Sequence, residues 1–133
     1  MTLEQEARNI KAASPETIAE LIAIREEAVS EMNKYILESP DRSLFGDNEE
    51  AVRHNHNNHY NFVISYISTP DYNILKDTVE WVFRSYQAHG FSLDYFKEAM
   101  EMWKIIFKRK LSSQAYKEIE PLYNWFLHYI EKV

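Results

Sequence analysis

Apolar residues recur along this chain at intervals of three and four, the spacing of one helix face, and no segment alternates as a half-buried strand would. Ser14-Pro15-Glu16 supplies a serine cap, a proline in the first helical position and an acid in the first turn. It predicts a helix over 15–38 with Ile18, Ile22, Val29, Met32 and Ile36 on its core stripe. Asp47 with Glu50 makes a capping-box-like start to a helix over 47–68, striped by Val52, Val63, Tyr66 and Ile67. Thr69-Pro70-Asp71 repeats the first device and opens 70–88, with Leu75, Val79, Val82 and Tyr86. In His89-Gly90-Phe91-Ser92, Gly90 ends that helix at the C′ position and Ser92 caps the next, over 92–111, with Phe96, Met100, Trp103 and Phe107. Ser112 and Ser113 can cap a last helix over 114–131, carrying Ala115, Ile119, Leu122, Phe126 and Ile130.

A shorter amphipathic helix near 2–12, with Leu3, Ala7 and Ile10, is expected to pack as a lid. The pattern therefore predicts an all-α protein: a single bundle over 1–133 of five main helices plus one short N-terminal helix. An up-down bundle and a globin-like arrangement satisfy the same periodicity. Pro121 lies inside the final pattern, so that helix should bend or begin there. The stretch 38–47 is the longest connection and the expected mobile segment.

Composition adds constraints rather than a new picture. With 45% apolar and 27% charged residues, 133 residues suit one folded domain, and 14% aromatics put many rings in its core. A net charge of −6 argues against a nucleic-acid partner, which needs clustered Lys and Arg. The one basic cluster, residues 104–110, reads as a solvated helix end. The absence of cysteine fits a reducing cytoplasm, and no apolar signal region or membrane-spanning run is expected.

Chemistry concentrates in "RHNHNNHYNF", residues 53–62. At 100° per residue His56 and His59 share the stripe of Val52 and Val63, while His54 points away. His59 is expected as a hydrogen-bonded core residue and His56 as a boundary one. The sharper reading makes His56 and His59 two ligands of a mononuclear metal, with Glu80, Glu98, Glu101 or Glu120 as further candidates. No Glu-x-x-His occurs, which counts against a dinuclear bundle site. Haem is an alternative cofactor, with His59 or His89 as its axial ligand. Arg25 falls on the stripe of Ile22, Val29 and Met32. There it needs a partner such as Glu80 or Asp94, a stem laid along the core, or an anion in a pocket shared with His59. Phosphate loops, nucleophile elbows and cysteine nucleophiles are missing, so the expectation is that the chain is not an enzyme.

His59 with Val63 and Tyr66, then Asp71 and Tyr72 opening a helix, then Trp81 in mid-helix and the break at 89–92, form a loose pattern over about residues 59–131. It resembles the helical region upstream of the cobalamin-binding domain in bacterial sensory and regulatory proteins and, more faintly, globin-like bacterial sensor domains. The resemblance implies a sensory or regulatory helical module that works through a protein partner or homodimer, or through a small-molecule ligand. His59 and Trp81 are the positions it carries over. The Asp-x-His-x-x-Gly motif that holds cobalamin is missing, so cobalamin itself is not implied. Trp125, off the stripe of Ile119, Leu122 and Phe126, joins Trp81 as an expected contact residue.

Overall fold

A computed structural model describes residues 1–41, 45 and 48–133. Among the described residues it shows only helices: α1 (Leu3–Arg8), α2 (Pro15–Ala23), α3 (Arg25–Leu37), α4 (Glu49–Ser68), α5 (Tyr72–Ala88), α6 (Leu93–Lys110) and α7 (Ser113–Lys132). The all-α bundle is as the periodicity predicts. The capping residues explain most boundaries. Ser14, Ser92 and Ser112 each accept a hydrogen bond from a backbone N–H of the first turn, at Thr17, Tyr95 and Ala115 respectively. Gly90, with φ +97°, follows the last turn of α5 in the left-handed conformation that glycine adopts without strain.

Three boundaries differ from expectation. The helix predicted over 15–38 is two helices, because Ile24 (φ −95°, ψ 4°) leaves helical geometry between α2 and α3. That break rotates α2, so Leu21 is fully buried and Ile22 is 59% exposed. At the second boundary Asp71, not Thr69, caps α5, accepting from Asn73 N–H and Ile74 N–H and leaving Pro70 outside the helix. The third is α1, which stops at Arg8; Ile10 is still buried just beyond it. Pro121, where a bend or a start is expected, lies inside α7, which does not begin there. Asp47 and half of the predicted mobile stretch over 38–47, namely residues 42–44, 46 and 47, lie outside those described.

The core is one cluster of rings and aliphatic side chains, with Trp103, Trp125, Tyr60, Tyr123, Phe45, Phe96 and Phe107 its largest fully buried members. Backbones pack closely between α6 and α7, α3 and α4, and α3 and α6, whereas α5 comes near chiefly to α1. Side chains tie α5 down instead: Phe83 stacks on Phe96 of α6 with ring centres 4.0 Å apart and meets Tyr129 of α7 edge-on. Two carboxylates cross-brace the helix starts. Glu118 of α7 accepts from the N–H of Ser14 (2.6 Å) and the hydroxyl of Thr17 (2.8 Å) at the start of α2. Glu20 of α2 accepts from the N–H (2.8 Å) and hydroxyl (2.7 Å) of Ser112 at the start of α7. Each carboxylate meets the positive end of the other's helix, and both pKa values are lowered, in each case first by the backbone hydrogen bond. The basic end of α6 is partly paired: Lys110 reaches Glu27 and Glu31 of α3, and Arg109 also meets Glu31.

Candidate functional site

Because α5 stands off from its neighbours in the backbone, space is left beneath it. A cavity of about 200 Å³ lies between α4, α5 and α6. Its walls are largely rings: Phe62 from α4, Phe83 and Tyr86 from α5, Tyr95, Phe96 and Trp103 from α6, and Phe126 from α7. No Asp, Glu, Lys or Arg lines it. The polar groups come mainly from one stretch of α4, where Asn55, His56, Asn58 and His59 border the space.

His56 is 1% exposed. Its Nδ1 lies 2.6 Å from Asn33 Oδ1 on α3. A carboxamide oxygen only accepts, so Nδ1 donates and carries the ring proton. Burial, with smaller contributions from His59 and Arg53, holds His56 down to about 3, so the imidazole is neutral near pH 7. Nε2 therefore presents a bare lone pair. It is buried with no hydrogen-bond partner among the described residues. Asn55 Nδ2 is also buried without a partner of good geometry, beside the Tyr95 hydroxyl.

His59 keeps a partly exposed edge, although its ring lies against Trp103, Tyr123 and Phe126 at centre-to-centre distances of 5.4, 5.7 and 5.7 Å. Its Nε2 shares a 2.7 Å hydrogen bond with the Tyr123 hydroxyl. Burial lowers it, too, to about 3. The exposed edge leaves His56 the more firmly desolvated of the two. The expected roles are thus exchanged: His56 is the core histidine and His59 the boundary one. His54 points outward as expected.

The remaining candidates are not brought together with these two. Arg25 lies at a separate surface cleft, donating to Asn61 Oδ1 (2.6 Å) with its guanidinium 5.8 Å from the centre of the Tyr60 ring. Neither Glu80 nor Asp94 is its partner: Arg25 keeps the α3 face of Val29 and Asn33, which border the same cleft, and its guanidinium goes to Asn61 and the Tyr60 ring of α4. His89 is exposed at the end of α5, its Nδ1 donating to the Ser85 carbonyl (2.7 Å). Trp125 is the clearest correction. It is 1% exposed and donates its indole N–H to the Leu3 carbonyl (2.9 Å), because α1 packs over the face of α7 that its own stripe leaves uncovered. Trp81 is 60% exposed and sits at the cavity rim.

A metal is poorly served. Among the described residues no three His, Asp or Glu side chains gather closely enough to hold an ion. None of Glu80, Glu98, Glu101 and Glu120 lines the cavity; Glu98, for example, accepts from the Tyr35 hydroxyl (2.9 Å). Haem does not fit either. The cavity is smaller than the roughly 300–1,000 Å³ of pockets for drug-sized ligands, His59 Nε2 is already engaged, and His89 lies elsewhere.

Sequence reasoning missed Asn33 and the α5 wall. Asn33 was legible as a polar residue four positions after Val29 and three before Ile36, at a core-facing place where a partner is obligatory. Compared with known protein families, curated proteins and solved structures, the chain matches none. Among the described residues no helix is long and apolar enough to cross a membrane.

Proposed function

We propose that this chain is a sensory or regulatory helical module that binds a small molecule in the cavity between α4, α5 and α6, and that its role is binding rather than catalysis. The observation that carries the reading is the cavity itself, about 200 Å³ walled largely by aromatic rings and bordered by no Asp, Glu, Lys or Arg. The second support is α5, which covers the space through side chains more than through backbone packing and so can yield to admit a ligand. A regulatory output also has a surface available: Ile74 and Trp81, seven residues apart on one face of α5, are 55% and 60% exposed. A partner protein or second copy reading that face is the accompanying protein-contact proposal.

The test is a thermal-shift survey of small aromatic compounds on the wild type and on Val82→Trp, whose new ring would fill the cavity from α5. Saturable stabilisation of the wild type that the variant lacks supports the reading. Stabilisation equal in both proteins, or none in either, overturns it.

A further inference from the structure

Helix α5 carries a second pattern on the side turned away from the core. Ile74 and Trp81 are 55% and 60% exposed, and among the described residues no other helix exposes two large apolar side chains. Ala88, also exposed, continues their line at the next interval of seven, the spacing of a seam that meets another helix. On the protein-contact reading just proposed, and independently of the cavity, we infer that a second copy of this chain docks on this side, so that two α5 helices pack antiparallel about a two-fold axis beside Trp81.

The flanks of the line select both the occupant and its direction. At about 100° per residue, Asp77 and Arg84 run along one flank, and Thr78 and Ser85 run along the other. Asp77 and Arg84 are both exposed, and neither joins an ion pair among the described residues. Antiparallel packing sets each flank against the same flank of the partner, whereas parallel packing sets it against the opposite one.

In the antiparallel pair, Asp77 of each copy therefore meets Arg84 of the other. The half-buried Thr78 and Ser85 meet side chains as small as themselves. Ile74 of each copy lies over Ala88 of the other, and the two Trp81 rings come side by side at the axis. Parallel packing would set the charges against hydroxyls. The face is thus complementary to itself, as a two-fold contact requires. An unrelated partner has no need of opposite charges one heptad apart on a single flank. One helix from each copy makes a small interface, so the dimer should dissociate at about 10–100 μM.

Sedimentation equilibrium of the full chain over about 1–1,000 μM tests this. A monomer–dimer equilibrium is expected. Trp103 and Trp125 are each 1% exposed, so quenching by acrylamide reports Trp81 and should fall as the dimer forms. Asp77→Arg or Arg84→Asp sets like charges together at both ends and should weaken dimerisation by about tenfold or more. The double variant exchanges the pair and should return dimerisation to within about threefold of wild type. These positions are exposed, so the variants fold. A wild-type protein that stays monomeric throughout overturns the inference, and so does a dimer that Trp81→Lys leaves intact. A dimer that Trp81→Lys abolishes but the charge exchange does not restore overturns the antiparallel pairing, while α5 stays a contact face.

Discussion

Lowering the pH from 7.5 to 5.0 is the perturbation to which the buried histidines make this fold most sensitive. His56 and His59 ionise near their ordinary 6.5 in the unfolded chain, whereas the folded protein holds each down to about 3. Below 6.5 the unfolded state binds two protons that the folded state refuses, so stability is fully present above that value and falls as pH drops toward 3. Each fully developed step is about 1.4 kcal/mol per pH unit, which integrates to about 2 kcal/mol per histidine at pH 5, or about 4 kcal/mol together. This is a large share of a typical stability of about 5–15 kcal/mol. The lowered carboxylates Glu20 and Glu118 do not contribute in this window, because their stabilisation is lost only below their ordinary 4.5. Urea unfolding at pH 7.5 and pH 5.0 measures the difference, and the imidazole C–H resonances of His56 and His59 report each ring directly. A fall of less than about 1 kcal/mol, or a His56 resonance that titrates above pH 5.5, would refute the reasoning.

Other substitutions test separate joints of the structure. Tyr60→Phe removes the hydroxyl that donates to the Leu21 carbonyl, one of the carbonyls left free at the end of α2. It should cost about 1–3 kcal/mol in urea unfolding at unchanged m-value, and a loss under about 0.5 kcal/mol would mean water replaces it. Gly90→Ala places a side chain at φ +97° and should cost about 1 kcal/mol, with neutrality meaning that the backbone relaxes there. His54→Ala, on the exposed face of α4, should stay within about 0.5 kcal/mol of wild type. Glu118→Gln should lower the melting temperature at pH 7 and flatten its fall below pH 4.5, since Glu118 would no longer gain a proton on unfolding.

The fold was legible because its cues are local. Ser14 with Pro15, Ser92, Ser112 and Gly90 act within one turn of themselves, and the stripes on α6 and α7 are long enough to fix a phase. What escaped has a common physical origin. Ile24 has no proline or glycine beside it, so nothing in its neighbourhood announces the break that turns Ile22 outward. Trp125 is buried by α1, a contact across 122 residues that no helical phase contains. The two histidines were placed on the correct face, but which one is sealed depends on Asn33 and Tyr123 from other helices. The cavity itself is a matter of how far α5 stands from α4 and α6. Periodicity gives the direction of a face, not the distance to its neighbour.

The account depends most directly on whether the space under α5 is a binding site, and a backbone amide NMR titration of the wild-type protein with phenol measures that. Saturable shifts should concentrate on α4 around Asn55–His59, on α5 around Thr78–Tyr86 and on α6 around Tyr95–Trp103, with one common dissociation constant. Shifts scattered over the surface that never saturate, or none at those residues, would contradict it.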